Sequence, residues 1–280
     1  MIKNSILLDK IITNALEEDL GLGDLTTDAI IGHDVIGKAV LETREDIVVA
    51  GLPVFMRVFS ILDPAVTFET YFEDGQKASK GEVICSISGS MASILKAERT
   101  ALNLMQRMSG IATLTSKYVA EAGPGKVKIL DTRKTIPGLR LLDKYSVPMG
   151  GGRNHRFGLF DGVLIKDNHI AVAGSIEKAV EAARKNAPHG IKVEVEVEDL
   201  EGVKTAIEAG ADIILLDNMS PDLMKEAVNF VAGRALLEAS GGITLENIKE
   251  VAATGVDMIS IGALTHSVKA VDLSLEISRV

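Results

Sequence analysis

The chain has 280 residues, 46% hydrophobic and 25% charged, enough for one large domain or two smaller ones around an ordinary buried core. Its single cysteine, Cys85, excludes an internal disulfide framework and a cysteine-based zinc cluster, and the absence of tryptophan with only 4% aromatic residues argues against a base-stacking platform. Thirty basic residues against 39 acidic ones leave a net charge of −9, a background on which a nucleic-acid surface would need strong local clustering.

The first run, MIKNSILLDKIITNALEEDLG, is broken by Asp9, Lys10 and Asn14. It reads as an amphipathic helix and not as a signal peptide. The longest uncharged run, Val83 to Leu95, is too short and too serine-rich to span a membrane, so a cytoplasmic protein with no membrane partner is expected. Short β-type runs follow at Lys38–Thr43, Ile47–Ala50, Val66–Phe72 and Glu82–Ile87, with turn signals at Asp63-Pro64 and Asp74-Gly75. They predict a small α+β domain with a largely antiparallel sheet. Within it DGQKASKGEVICSI resembles the hairpins of lipoyl and biotinyl carrier domains, a reading that needs a lysine on an exposed tip. Over residues 92–108 the period becomes helical: Ile94, Ala97, Ala101, Leu104 and Met108 form one apolar face, and Arg99 falls off it.

Beyond residue 125 the pattern repeats as strand, loop and helix. Strands are predicted to begin near Val127, Val163, Ile191, Ile213, Ala235 and Asp257, the last three steps being equal. Helices fit over Ser175–Asn186, Leu200–Ala209, Pro221–Val231 and Thr244–Ala253. Such alternation predicts a parallel sheet with helices outside it, either an open doubly wound sheet or an incomplete α/β barrel.

In both architectures functional groups collect at the C-terminal ends of the strands. KVKILD runs into Thr132-Arg133-Lys134, GVLI into Lys166-Asp167-Asn168-His169, DIILL into Asp217-Asn218, ALLEA into Ser240-Gly241-Gly242, and MISI into Gly262. The plain alternative at any one end is an ordinary charged loop. In IKVEVEVE, Val193, Val195 and Val197 face one way and Glu194, Glu196 and Glu198 the other. A parallel strand is normally buried on both faces, so these carboxylates need cations, a metal or water. Arg133, Lys134 and Lys166 on neighbouring strand ends can supply the charge; an edge strand with a solvated acidic face is the alternative. Two glycine-rich stretches, SGGIT (240–244) and IGALTHS (261–267), can converge backbone N–H groups on a phosphate, with Ser240 and His266 as further donors. Tight-turn geometry alone would also explain them. The loop Gly150–Gly152 presents Arg153, His155 and Arg156.

The candidates together are cationic: Arg99, Arg133, Lys134, His155, Arg156 and Lys166, against Glu196 and Asp217. That set suits small polyanions, because arginine forks match carboxylates and phosphates and two acids suit a magnesium–phosphate complex. The motifs GxSxG, HExxH and Walker A are missing from the sequence. A Schiff-base lysine, Lys166 above all, stays open on chemistry alone.

Taken together, ERTALNLMQRMSGIAT (98–113), DTRKTIPGLR (131–140), GGGRNHRFGLFDGVLIKDNHI (150–170), VEVEVE (193–198), LLDN (215–218), SGGI (240–243) and GVDMISIGALTHS (255–267) resemble the quinolinate phosphoribosyltransferases. EEDLGLGDLTT (17–27) and REDIVVAG (44–51) fit as well, so the resemblance spans nearly the whole chain. It implies an N-terminal α/β sandwich domain over residues 1–108, joined by the segment 268–280, and an incomplete α/β barrel of about six strands over 109–267. It implies a homodimer or larger homo-oligomer, with Arg99 acting across the interface. The family reaction joins quinolinate to phosphoribosyl pyrophosphate with Mg²⁺, giving nicotinate mononucleotide, pyrophosphate and CO₂.

Carried over by position, the resemblance puts Arg99, Arg133, His155, Arg156 and Lys166 on the quinolinate carboxylates. Lys134 goes between the dicarboxylate and the pyrophosphate. Glu196 and Asp217 attend the ribose hydroxyls and the metal-bound substrate, and Ser240, Gly241, Gly262 and His266 cradle the 5′-phosphate. Glu194, one pleat away, competes with Glu196. Val147-Pro148-Met149 is less basic than in some relatives, which touches only secondary anion contacts. The competing readings are a paralogous group found with molybdenum-transport genes, a Schiff-base aldolase barrel using Lys166, and a non-catalytic phosphate-ligand sensor.

Overall fold

The computed structural model describes residues 6–32 and 34–278. Residues 1–5 of the expected N-terminal helix and residues 279–280 of the last segment lie outside that range. The chain divides into two compact units, one formed by residues 1–116, 135–151 and 265–280, the other by 117–134 and 152–264.

In the first unit, helix α1 (Ile6–Leu20) buries Leu8, Ile12 and Leu16 along one stripe, as the sequence pattern requires. Helix α2 (Leu25–Ile30) starts at Asp24, whose carboxylate accepts the N–H groups of Thr26 and Thr27 at 3.0 Å each. Strands β1 (Ile36–Thr43) and β2 (Ile47–Val48) lead to helix α3 (Leu52–Leu62). The N-terminus of α3 has no cap from its own chain start; Asp74 supplies one, accepting from Gly51 N and Leu52 N at 2.9 and 3.0 Å. Strands β3 (Thr67–Thr70), β4 (Lys77–Ala78) and β5 (Val83–Ser90) precede helix α4 (Met91–Glu121). Helix α5 (Arg140–Met149) and strand β12 (Leu273–Ser278) also belong to this unit.

The sheet order is β12-β1-β5-β3, antiparallel throughout, with β2 and β4 paired separately. Phe55, Phe59, Ile84, Ile87, Ile94, Met105 and Met108 are fully buried in its core. The carrier-like hairpin is absent, because β4 pairs with β2 while β5 joins the larger sheet. Arg99 is exposed, in keeping with its place off the apolar face of α4.

The second unit holds β6 (Lys128–Leu130), β7 (Val163–Ile165), α6 (Asp167–Ala173), α7 (Ile176–Asn186), β8 (Val193–Val197), α8 (Leu200–Glu208), β9 (Ile213–Asp217), α9 (Pro221–Val231), β10 (Leu236–Ser240), α10 (Ile248–Ala252) and β11 (Met258–Ser260). Helix α11 (Ala263–His266) follows β11. The strands are parallel in the order β6-β11-β10-β9-β8-β7. From β7 to β11 chain neighbours are sheet neighbours, and the first strand, β6, lies beside the last, β11. A doubly wound sheet would reverse at a switch point, so the fold is an incomplete six-stranded α/β barrel. It is open between β6 and β7, where the backbone of Arg153 lies along β6: Arg153 N donates to Ile129 O at 2.8 Å.

Outside the strands, α7 buries Ala179 and Val180, α8 Val203 and Ala206, and α9 Met224, Ala227 and Val231. Helix α10 is shorter than the predicted 244–253. Asn247 accepts from Thr244 N and donates to Gly242 O, which fixes the preceding stretch as a turn.

Candidate active site

Strand β8 carries two carboxylates into the barrel. It lies between β7 and β9, so its acidic face is not a solvated sheet edge. The structure gives the two acids different partners. Glu196 accepts from Lys166 Nζ at 2.6 Å, joining the ends of β8 and β7. Glu194, only 5% exposed, faces His155, whose Nε2 lies 3.1 Å from its Oε2.

A third acid, Glu238 on β10, is 1% exposed, with Oε1 3.6 Å from the same Nε2. Burial pushes the Glu238 carboxyl up to about 7, and the charge of Glu194 pushes the same way; His155 and the Ser260 hydroxyl oppose them. The sequence reading missed Glu238. Its signal was there: a lone acid inside the apolar strand LLEAS.

His155 is held on its other side by backbone. Its own N–H donates to Asp131 Oδ1 at 2.8 Å, and Nδ1 accepts from Arg156 N at 2.7 Å. Asp131, fully buried at the end of β6, also accepts from Asn154 Nδ2 at 2.6 Å. This carboxylate therefore bends the RNHR segment into place, a role that sequence reading passed over.

Arg156 donates to Gly162 O at 3.0 Å. Its guanidinium is held below its ordinary value, by burial first and then by the charge of Arg133, while Glu194 and Asp161 pull it back up. Two arginines near each other and partly desolvated have the chemistry to suit an anion. Lys134 is exposed just beyond Arg133.

The next strand ends form the glycine-lined seat. Asp217 closes β9 and is the register partner of Ser240 on β10. Asn218 turns left-handed at φ 53° and donates from Nδ2 to Asp217 at 2.8 Å, while its N–H donates to Ser240 O at 2.9 Å. Gly241 follows at φ +88°, and a Cβ there would lie 2.2 Å from Asn218 Oδ1. Only glycine fits. Gly262 is half-buried just after β11.

The barrel thus brings Arg133, His155, Arg156, Lys166 and Glu196 to one set of strand ends and Asp217, Ser240 and Gly241 to adjacent ones. Arg99, on α4, and His266, at the end of α11, belong to the first unit. Cys85 is no rival nucleophile: burial pushes its thiol up to about 12.

Among the described residues the three side chains disposed like metal ligands are His155, Glu194 and Glu238, their ligand atoms within 4.8 Å of one another. The hydrogen bond from Arg156 N to Nδ1 keeps the lone pair there. The neutral ring then carries its proton on Nε2, the atom a metal would need. Glu196 and Asp217 offer a different donor set: half-buried carboxylates at the ends of adjacent strands. That set fits Mg²⁺, which takes one or two carboxylates and draws its other ligands from substrate oxygens and water.

A parallel barrel with arginines, a lysine and carboxylates at its strand ends beside a glycine-lined seat defines an enzyme of small polyanions. Residues 111–276 match the family model "Quinolinate phosphoribosyl transferase, C-terminal domain" and residues 24–109 the corresponding N-terminal domain. The chain is 46% identical over 275 residues to the probable nicotinate-nucleotide pyrophosphorylase [carboxylating] of Bacillus subtilis, covering 98% of this chain and 95% of that one. It is 44% identical over 289 residues to the mitochondrial quinolinate phosphoribosyltransferase [decarboxylating] 2 of Nicotiana glauca, covering 96% and 82%. The crystal structure of NadC from Streptococcus pyogenes superposes with a TM-score of 0.95 at 44% identity, covering 98% and 97%. The chain belongs to the quinolinate phosphoribosyltransferase family.

Proposed function

We propose that the protein catalyses phosphoribosyl transfer from phosphoribosyl pyrophosphate to quinolinate with decarboxylation, giving nicotinate mononucleotide, pyrophosphate and CO₂ for NAD biosynthesis. The observation that carries this is the family match over nearly the whole chain, supported by a barrel with Arg133, Arg156, Lys166, Ser240 and Gly241 at its strand ends. Arg133, Arg156 and Lys166 hold the quinolinate carboxylates, with His155 beneath them and Arg99 supplied by a second copy in a homodimer or larger assembly. Ser240, Gly241, Gly262 and His266 hold the 5′-phosphate. Lys134 bridges the dicarboxylate and pyrophosphate ends.

The ring nitrogen of quinolinate attacks the anomeric carbon and displaces pyrophosphate, so the protein need supply no nucleophile. Glu196 and Asp217 stabilise positive charge developing on the ribosyl carbon and orient the ribose hydroxyls. Glu196 and Asp217 would hold Mg²⁺, and the ion would supply the positive charge that the departing pyrophosphate calls for. The cationic residues bring two anions together in reacting geometry. The pyridinium ring formed by the first step draws off the electron pair of the C2–carboxylate bond as CO₂ leaves, and C2 takes up a proton. Among the described residues no helix is long and apolar enough to cross a membrane. We assign the enzyme to the cytoplasm.

Quinolinate labelled with ¹³C in the 2-carboxylate tests the reaction. Labelled CO₂ should appear only when phosphoribosyl pyrophosphate and Mg²⁺ are both present, in equal amount to pyrophosphate. Pyrophosphate release without labelled CO₂ would contradict it.

A further inference from the structure

Two buried carboxylates under the site are not used by the reaction as described. Glu194 and Glu238 each have an Oε1 atom that is buried and accepts no hydrogen bond. Both side chains converge on one atom, Nε2 of His155, at 3.1 and 3.6 Å. Two ionised carboxylates in so small and dry a space would repel strongly and leave two orphaned acceptors. One proton on the pair removes the repulsion and turns an orphan into a donor.

The groups facing Glu238 are Glu194 from β8, His155 from the loop after β6, Ser260 from β11 and Asp131 from the end of β6. His155 cannot turn away from the acids, because Arg156 N occupies Nδ1. The same bond ties the ring to the backbone of the arginine beside it.

We infer that Glu238 is a positioning residue acting as a neutral acid: with Glu194 it closes around Nε2 of His155, fixes the ring as its Nε2–H tautomer, and through Nδ1 holds the backbone from which Arg156 reaches the quinolinate carboxylates. The inference rests on the proposed reaction for its kinetic consequence, but not for the tautomer. It assigns His155 a different place from a direct carboxylate ligand, since both ring nitrogens face protein. It also sets aside a metal at this trio. A buried positive ion would need the Nε2 lone pair that the tautomer removes.

Glu238→Gln keeps the shape and a donor but cannot ionise; Glu238→Ala removes both shape and donor. The glutamine variant should keep the KM for quinolinate within about threefold. The alanine variant should raise it about tenfold or more, with KM for phosphoribosyl pyrophosphate unchanged. A glutamine variant as impaired as alanine, or an alanine variant with unaltered KM for quinolinate, would overturn the inference.

If the alanine variant does not fold, ring ¹⁵N spectra of the parent and of Glu238→Gln decide independently of turnover. His155 should show Nδ1 as acceptor and Nε2 protonated in both proteins. The Nδ1–H tautomer, or an equivalent of zinc or manganese retained by the parent and lost from Glu238→Gln, would overturn it. A parent that makes no nicotinate mononucleotide would defeat the proposed reaction and leave the ring measurement standing.

Discussion

At Gly241 backbone and function meet in one residue. Its φ of +88° and the 2.2 Å approach of a would-be Cβ to Asn218 Oδ1 leave alanine no unstrained place. Gly241→Ala should cost about 1–3 kcal/mol and raise the KM for phosphoribosyl pyrophosphate more than that for quinolinate; thermal melting and initial rates check it. Asp131 is a second such residue. Removing the carboxylate that receives His155 N and Asn154 Nδ2 should cost about 2–3 kcal/mol, seen as a lower urea midpoint at unchanged slope.

Glu238 predicts a pH dependence with a definite sign. Its folded carboxyl is raised from 4.5 to about 7, so the native state binds the proton more tightly than the unfolded state does. The stabilisation is full below the unfolded value and is lost as pH rises toward the folded one. Glu238→Gln cannot ionise, so its melting temperature should gain on the parent's between pH 5 and pH 8. A constant difference across that range would contradict the assignment.

Elements whose period is set by burial were legible in the sequence. β7, β9, β10 and β11 begin within a residue of the predicted starts, and α9 spans the predicted Pro221–Val231. Parallel strands are short apolar runs that end in polar groups, and Ser220 marks the start of α9 by accepting from Leu223 N. Ser220→Ala should cost about 1 kcal/mol, measured by melting, with kinetics intact.

Elements set by long-range partners were not legible. β4 is a two-residue strand that exists because β2 lies opposite. α4 runs on to Glu121, past the residue 108 at which its apolar pattern was followed. The site divides in the same way. The acids of VEVEVE were visible, but which of them meets Lys166 and which meets His155 depends on side chains from other strands. Glu238 became meaningful only when β10 came within reach of the loop after β6.

For the molecule as a whole, a net charge of −9 coexists with a site rich in arginine and lysine. A basic cluster on an acidic background suits small anions over nucleic acid. Arg99 is exposed on α4, while Lys166 sits among the strand ends of the second unit. If Arg99 serves the barrel of another copy, Arg99→Ala and Lys166→Ala proteins, each inactive alone, should regain activity when mixed under exchange conditions. No recovery from exchanged subunits would place Arg99 in its own subunit's site.

The most direct test of the central claim is product formation by the purified protein with quinolinate, phosphoribosyl pyrophosphate and Mg²⁺, followed by mass spectrometry, with nicotinate replacing quinolinate as control. Nicotinate mononucleotide should form from quinolinate and none from nicotinate, with Arg133→Ala folded but inactive. Product from nicotinate at a similar rate, or unchanged turnover in Arg133→Ala, would contradict the carboxylate-reading site at the mouth of the barrel.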